Sequence, residues 1–321
     1  MRTPSAIAVR TAGWNRPMLV TAWLMVPMAV VCLVGLAVDD RVLTGAPIWL
    51  KPLKFAISIA VYGFTWAWLI SLLHVGKRLA HRVSVVLAAA LLLEQVLIVT
   101  QVVRGKGSHF NVITPFDSTV FAVMGVSIAV LWTGSLVLTV LVLRTPFADR
   151  ATRWALRIGS VISLAGVGMG ALMTSPTSAQ LDSIDKGTFK GVIGAHSVGV
   201  EDGGPTMPLT GWSTTGGDLR IPHFVGMHAL QVLPLLVLLL TVLTTRVPVL
   251  RSDAVRTRLV VVAGAGYGLL LALVLWQAER GQPLLQPDGW TLTAFAALVV
   301  AVGVGAVLAV NARDAEAVSV G

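Results

Sequence analysis

The chain has 321 residues, of which 55% are hydrophobic and 12% are charged, and its mean hydropathy is +0.83. Soluble domains carry about 25% charged residues, so this composition excludes an ordinary cytosolic enzyme. The net charge of +9 would suit a nucleic-acid-binding protein, but the apolar residues lie in long blocks, which favours the lipid bilayer as the partner over nucleic acid. Cys32 is the only cysteine, which excludes an intrachain disulfide and any metal site built on paired cysteines.

Eight apolar blocks are long enough to cross about 30 Å of hydrocarbon, which takes about 20 helical residues. The predicted spans 1 to 8 lie at 17–38, 53–74, 83–103, 118–143, 155–175, 223–245, 258–278 and 290–310. Span 1 follows arginines as a signal peptide does, but its long apolar run lacks a small-residue cleavage site before Asp39, so we expect it to be retained. The predicted fold is all-α, a polytopic transmembrane helix bundle of eight spans.

The loops between spans alternate in their content of Lys and Arg. One side holds 15 of the 24 such residues: it comprises both termini, with Arg2, Arg10 and Arg313, and the loops after spans 2, 4 and 6. Because short loops rich in Lys and Arg stay in the cytoplasm, we expect both termini to be cytoplasmic. The expected location is the bacterial cytoplasmic membrane.

Spans 1–4 and 5–8 carry similar sequences at matching points, which predicts an internal duplication. The run KPLKF at 51–55 resembles RIPHF at 220–224, and QVVRG at 101–105 resembles QAERG at 277–281. Two halves with the same topology would be parallel repeats about an axis along the membrane normal. The two predicted four-helix repeats are residues 1–150 and 151–321.

Polar side chains on three spans face the extracytoplasmic half of the membrane. Those of span 2 recur every three or four residues and therefore lie on one face: Lys51, Lys54, Ser58, Tyr62 and Thr65. Those of spans 3 and 6 are Glu94, Gln101, Arg104, His228 and Gln231. The inner halves of the spans are almost wholly apolar. Because polar groups are costly in hydrocarbon, we predict a polar cavity that opens outward and is filled by water or a ligand.

Glu94 lies inside span 3, where an ionised carboxylate costs about 2.5–3.5 kcal/mol on insertion scales. A functional carboxylate here would relay protons, bind a cation or act as an acid–base group. The alternative is a protonated structural carboxyl that is bonded to a neighbouring helix.

Four histidines face the predicted outer side, near several carboxylates: His109, His196, His223 and His228. Imidazole binds zinc, iron and copper, so we predict these four as candidate metal ligands. Alternatively, two of them are axial ligands of a haem, or each has only a capping or hydrogen-bonding role. His223 and His228 are five residues apart and do not form the i,i+4 pair of an H-E-x-x-H site.

Five cations gather at the predicted mouth and suit the carboxylate or phosphate group of a ligand: Lys51, Lys54, Arg104, Lys106 and Arg220. We interpret Lys51 and Lys106 as anchors that hold helix ends at the headgroups. We interpret Arg104 and Arg220 as functional, because they lie beside Gly105 and Asp218 in tight, repeat-related contexts.

The long outer loop at 176–221 is rich in Gly, Ser and Thr, which is typical of flexible segments. It also contains Phe189, Trp212 and several prolines, and long ordered loops are commonly functional. We therefore predict an extracytoplasmic lid over the cavity.

The chain resembles a group of bacterial multi-pass membrane proteins. The resemblance rests on WLKPLKF at 49–55, RGKGSHFN at 104–111 and GDLRIPHFVGMHALQ at 217–231, which cover most of the outward face. It implies the multi-pass architecture and transfers no catalytic residue and no reaction.

Three functions remain open from the sequence. The first is a membrane enzyme or redox protein, with a metal or haem as cofactor in one version. The others are a small-solute or proton-coupled transporter, and a sensor or assembly factor without catalysis. Apolar inner halves favour the enzyme, since alternating access needs polar pathways on both sides of the midplane. A small-molecule ligand is expected in either of the first two.

The predicted catalytic residues are Glu94, His109, Arg220 and His228. The predicted ligand-binding residues are Lys54, Tyr62, Gln101, Arg104, Asn111, Asp117, Asp218 and Gln231.

Overall fold

A computed structural model describes residues 13–312, and this part of the chain is mostly helical. The predicted all-α class is confirmed. The long helices are α1 (Arg16–Val38), α2 (Leu50–Leu72), α3 (Lys77–Val103), α4 (Pro115–Arg144), α5 (Arg150–Gly168), α9 (Asp253–Glu279) and α10 (Gly289–Asn311). The shorter helices are α6 (Ser178–Asp185), α7 (Arg220–Met227) and α8 (Ala229–Leu243).

Seven helical segments between residues 13 and 312 are long and apolar enough to cross a membrane. Predicted span 6 differs from the expectation of one continuous helix, because it is broken at His228 into α7 and α8, which meet at an angle of 42°. The count is eight if this bent pair is one span. Arg2, Arg10 and Arg313, which contribute to the predicted orientation, lie outside the described residues.

Two short antiparallel strand pairs lie in the loops. Strand β1 (Val42–Leu43) pairs with β2 (Ala46–Pro47), and β3 (Ser197–Val198) pairs with β4 (Gly217–Asp218). Each pair directly precedes a helix that begins with the KPLKF or RIPHF run. Short 3-10 turns at Met169–Thr174 and Pro248–Arg251 complete the connections.

Side-chain caps fix where five of the membrane-length helices begin. Each capping side chain accepts a hydrogen bond from a backbone N–H in the first turn, which a helix start otherwise leaves unpaired. The capping residues are Asn15 for α1, Thr114 for α4, Asp149 for α5, Ser252 for α9 and Asp288 for α10.

The helices of the two halves pack in the same pairs. In the first half, α1 packs against α2 and α3, and α3 packs against α2 and α4. In the second half, α5 packs against α7, α8 and α9, and α9 packs against α7, α8 and α10. Helices α4 and α5 join the halves. Two large apolar clusters result, one centred on α2 and α3 and one on α5, α8 and α9, and a small third cluster lies between α3 and α4.

A close glycine contact sets the position of α5 against α7. A Cβ atom on Gly166 would lie 2.4 Å from the backbone carbonyl carbon of Gly226, so both positions require glycine. Small residues at such positions let the backbones of two membrane helices approach closely.

The two ends of the bundle differ in character. The end that carries β1 to β4 and the connections 104–114, 169–219 and 280–288 is called the loop end below. The opposite end, with the connections 73–76, 145–149 and 244–252, is called the arginine end.

Candidate functional site

A network of hydrogen bonds closes the corner between α3 and α4 at the loop end. Arg104 Nη1 and Gln101 Nε2 lie 2.6 and 2.9 Å from Oδ1 of the buried Asp117. Thr114 donates to the other carboxylate oxygen at 2.7 Å, and Gln101 also donates to the Gly107 carbonyl at 3.3 Å. These bonds engage three residues predicted to bind a ligand, through Asp117, Gln101 and one guanidinium nitrogen of Arg104, and they hold the corner together.

The corner between α9 and α10 has the same construction. Arg280 bonds Asp288, and Gln277 donates to the Pro283 carbonyl at 2.8 Å, as Gln101 does to a carbonyl six residues later. The glycine after each arginine, Gly105 or Gly281, has a φ of 69° or 71°, in the left-handed region that favours glycine. The arginines lie over Phe116 and Trp276, at 4.2 and 4.5 Å from the ring centroids.

The long loop packs against the connection between α3 and α4. Asn111 pairs with Val192 in an isolated bridge, and the Ile193 N–H donates to the Phe110 carbonyl at 2.9 Å. The Gln180 side chain bonds both backbone groups of Gly194, at 2.9 and 3.0 Å. Asn111, predicted to bind a ligand, therefore joins two loops.

Two cations hold the long loop over the start of α2 and α7. Arg220 forms a bidentate ion pair with the fully buried Asp218 and donates to the Gly211 carbonyl at 2.6 Å. Lys54 Nζ donates to the Thr210 carbonyl at 2.9 Å, which ties the loop to the first half. Arg220, predicted to be catalytic, and Asp218, predicted to bind a ligand, are therefore bonded to each other within the protein.

His196 and Asp202 form an acid–base pair beside His109. His196 Nδ1 lies 2.7 Å from Asp202 Oδ2, and an ionised carboxylate only accepts, so Nδ1 carries the hydrogen and Nε2 is left as the acceptor. Burial lowers the pKa of His196 below its ordinary value. Burial acts to raise the pKa of Asp202, but hydrogen bonds from His196 outweigh it and hold that pKa below its usual range.

His109 is packed among aromatic rings at the same place. Its Nδ1 lies 2.9 Å from the Ser108 hydroxyl, and its ring contacts Phe55 and Phe110, while Phe110 in turn contacts the His196 ring at 5.0 Å between centroids. Burial, followed by the nearby Lys51 and His196, lowers the pKa of His109 well below its ordinary value. Both histidines are therefore neutral at pH 7.

Lys51 lies inside this cluster, which corrects its interpretation as a headgroup anchor. It is half-buried, and its charge acts on Glu94, His109 and His196. Glu94 is 2% exposed, and neither carboxylate oxygen has a hydrogen-bond partner among residues 13–312. Lys106 is exposed, as expected of an anchor.

A second pair of histidines lies at the joint between the halves. His223 Nδ1 donates to the Gly166 carbonyl at 2.8 Å, which caps the end of α5. His228 Nδ1 donates to Gln231 Oε1 at 3.3 Å, and Gln231 Nε2 donates to the Thr65 hydroxyl on α2 at 2.9 Å. These predicted site residues therefore connect α5, α8 and α2.

The predicted four-histidine metal site is wrong for the described residues. Within 13–312, no three or more His, Cys, Asp or Glu side chains are grouped so as to hold a metal ion. The reason is that His109 and His196 lie under the long loop, whereas His223 and His228 turn to backbone and amide partners near the helix break. The haem alternative, which needs only two histidines, stays a prediction.

Buried polar groups also occur in the half of the bundle toward the arginine end, where the sequence predicted almost none. Tyr62 bonds the Ser135 hydroxyl at 2.8 Å. One turn deeper, Trp66 and Thr139 are 2% and 3% exposed. The Trp66 N–H lies toward the Tyr62 hydroxyl, and the Thr139 hydroxyl has no partner in the described chain. The expectation missed them because Trp, Ser and Thr are common in apolar helices and carry no charge.

Two pockets lie away from the cluster at the loop end. One is an apolar groove of about 350 Å³ between α1 and α2, lined by residues such as Met25 and Phe64. The other, of about 180 Å³, lies at the arginine end and is lined by Asn15, Ser71 and His81 among others. Neither contains a predicted site residue, so the outward-opening cavity stays a prediction.

Comparison with protein-family models, with curated proteins and with solved structures returned no match for the chain. The sequence predicted only an anchoring role for Lys51 and did not mark Asp202, Ser135, Trp66 or Thr139. The predicted polar face of span 2 contains Lys51 and Tyr62. Trp66 lies one turn beyond Tyr62 on the same face, and this spacing was the signal that could have identified it. The partnership of His196 with Asp202, six residues apart in an irregular loop, had no periodic signal.

Proposed function

We propose that the chain is an eight-span membrane protein made of two parallel four-helix repeats, with α7 and α8 together forming span 6. Support comes from the matched helix pairs of the two halves and from the matched corners at Arg104 and Arg280. The Lys and Arg content of the connections supports an orientation with the loop end outside the cell and the arginine end in the cytoplasm.

We further propose that the loop end binds a small anionic solute, with a carboxylate or phosphate group, and that the protein transports this solute together with protons. The observation that carries this proposal is the juxtaposition of Lys51 and Glu94. Their charges act on each other, yet they form no ion pair in the described part of the chain, and the Glu94 oxygens are unpartnered. An unpaired buried carboxyl costs stability, so its retention supports a role in proton exchange.

The cations around Lys51 suit an anion. Lys54 and Arg220 lie at the equivalent starts of α2 and α7 and direct their charge toward the same region, because both act on Lys51. The neutral His109 and His196 add hydrogen-bonding groups without adding charge. A solute anion between Lys51 and the loop would gain charge-assisted hydrogen bonds, and the long loop would act as its lid.

Binding of anion probes tests this site. Inorganic phosphate and succinate should raise the melting temperature of the purified protein in detergent, whereas choline, a cationic probe, should not. Lys51→Gln should abolish the shift, and the matched variant Lys106→Gln, which changes an exposed lysine on the same side, should keep it. Equal shifts in both variants, or no shift with either anion in the wild type, would overturn the proposal.

A metal-free enzyme is the second candidate, and the His196–Asp202 pair favours it. A histidine whose Nδ1–H is held by a carboxylate presents Nε2 as a general base. Hydrolysis of p-nitrophenyl acetate and p-nitrophenyl phosphate offers a first test. Activity that His196→Gln removes and His81→Gln keeps would support this candidate, and the absence of activity with either probe would count against it.

A further inference from the structure

We propose that the first half contains a proton pathway that runs from Glu94 to the arginine end, past Tyr62 and Ser135 and then past Trp66 and Thr139. The inference rests on the proposed function, in which Glu94 exchanges protons with the solute site. It adds the route by which those protons reach the other side of the membrane.

The first step of the route is the position of Glu94 against α4. A Cβ atom on Gly134 would lie 2.5 Å from Leu87 Cδ2, so these two positions of α3 and α4 face each other. The two helices are antiparallel, so two turns toward the loop end from this contact lead to Glu94 on α3 and Ser127 on α4. Both side chains are buried, at 2% and 6% exposure. Glu94 therefore faces the seam between α3 and α4.

The second step is the hydrogen bond between α2 and α4. Ser135 donates its hydrogen to the Leu131 carbonyl at 2.6 Å, so its oxygen accepts from the Tyr62 hydroxyl at 2.8 Å. Ser135 lies eight residues below Ser127, a rise of about 12 Å. Ser58, one turn above Tyr62 on the same face of α2, lies within this interval, where ordered water would complete the chain.

The third step lies one turn deeper. Helices α2 and α4 both run from the loop end to the arginine end, so the Tyr62–Ser135 bond places Trp66 and Thr139 at a common depth. Thr119 and Thr133 on α4 give their hydroxyls to the carbonyl four residues earlier, as is usual in helices, whereas the buried Thr139 hydroxyl has no partner in residues 13–312.

The Thr139 hydroxyl is thus an unpartnered polar group in an apolar core, at the depth of the Trp66 N–H, which lies toward the Tyr62 hydroxyl. Buried polar groups of this kind are normally satisfied, and a bound water needs two or more such partners. A water between the Tyr62 hydroxyl and Thr139 would satisfy the Thr139 hydroxyl. The Trp66 N–H would orient the Tyr62 hydroxyl, and the water and Thr139 would carry the proton.

The last step is the pocket of about 180 Å³ at the arginine end. Its lining includes Ile70 and Ser71, one turn beyond Trp66 on α2, and Lys77 and His81 on α3. The pocket therefore reaches to within about one turn, or 6 Å, of the Trp66–Thr139 level. Ser71, Lys77 and His81 in this lining would carry the proton from the level of Trp66 and Thr139 to the solvent at the arginine end.

The proton balance of the route is simple. Glu94 takes a proton from the solute site and passes it to water near Ser58. Each hydroxyl or water that follows accepts a proton on its oxygen and releases another on its far side, so every group ends as it began. The net change is one proton moved from the loop end to the pocket; O–H bonds form and break at each transfer, and no bond between heavy atoms changes.

Proton entry into proteoliposomes tests the pathway. The vesicles contain pyranine, and a potassium diffusion potential, negative inside, is imposed with valinomycin. Tyr62→Phe and Thr139→Val remove one hydroxyl each at nearly constant volume and should slow acidification roughly tenfold or more. Their matched controls are Tyr267→Phe, in the second half, and Thr133→Val, on the exposed side of α4, which should acidify like the wild type.

The thermal shift with phosphate and succinate is measured on the same variants. Slow acidification with an intact shift supports the pathway separately from the solute site. Wild-type acidification no faster than that of protein-free vesicles, or equal rates in all five proteins, overturns the pathway. Loss of the shift in Lys51→Gln with proton entry unchanged in Tyr62→Phe and Thr139→Val would retain the solute site and reject the pathway. Ser135→Ala provides a second interruption if Tyr62→Phe fails to fold.

Discussion

Arg104 and Asp117 form an ion pair of 2.6 Å between Nη1 and Oδ1 that ties the end of α3 to the first turn of α4. Asp117 is fully buried, while about one third of the Arg104 side chain is exposed. The pair lies at the loop end, and both carboxylate oxygens of Asp117 have hydrogen-bond partners. Its position supports a structural role, which differs from the ligand-binding role that the sequence favours.

Arg104→Gln is expected to lower the melting temperature of the purified protein, with a loss of about 1–2 kcal/mol in the free energy of unfolding, since Asp117 keeps its bonds from Gln101 and Thr114. Phosphate and succinate should still stabilise the variant. Arg280→Gln is the matched control, and it should cost less because both members of its pair are about one third exposed. Loss of anion binding in Arg104→Gln at unchanged stability would restore the ligand-binding role.

Most of the helices could be predicted from the lengths of the apolar runs in the sequence alone. Runs of about 20 apolar residues bounded by charges and caps fix a helix to within a few residues, as for α1 and α10. The break at His228 could not be predicted from hydropathy, because both α7 and α8 are apolar and share one continuous run. The position of α7 depends on the close contact between Gly226 and Gly166. That contact joins two distant parts of the chain, so hydropathy does not predict it.

The candidate site was less accessible to prediction, because its contacts join distant parts of the chain. The sequence marks Glu94, His109 and Lys54 as polar groups in or near hydrocarbon, and the structure places them at the loop end. Which residues pair is decided by the loops: the Lys54–Thr210 bond spans 156 positions, and the Gln231–Thr65 bond spans 166. Periodicity within one helix carries no information on such pairs.

Gly166→Ala tests the contact that sets α5 against α7. The added methyl group would meet the Gly226 backbone at 2.4 Å, which no side-chain rotation relieves, so we expect a loss of about 1–3 kcal/mol. Gly303→Ala on α10 meets no atom within 4 Å and should be neutral or stabilising by up to about 1 kcal/mol, because alanine is the better helix former. Melting temperatures in detergent that fall equally in both variants would contradict the close contact.

Acidification is expected to loosen the long loop. The folded protein disfavours protonation of His196 and His109, so the unfolded loop binds more protons below about pH 6.5 and stability falls as the pH decreases from there. Asp202, whose pKa is also lowered, adds a further loss below about pH 4. Lys51 and Arg220, which face His196, oppose its protonation further.

Hydrogen exchange over residues 191–218 measures this effect. After correction for intrinsic rates, exchange should be faster at pH 5 than at pH 7, and His196→Gln should reduce the difference. His81→Gln, which changes a histidine at the arginine end, should leave it unchanged. Equal protection at both pH values would show that the two histidines do not link the loop to pH.

Glu94→Leu distinguishes a functional carboxyl from a structural one. The side chain is buried without a hydrogen-bond partner in the described chain, so an apolar residue of similar size should raise the free energy of unfolding by about 1–3 kcal/mol. The same variant should lose proton entry into proteoliposomes, because the first acceptor of the route is gone. Glu279→Leu, an exposed acid at the loop end of α9, should change neither quantity appreciably. A destabilised Glu94→Leu with normal proton entry would identify Glu94 as a carboxyl that the helices need for packing.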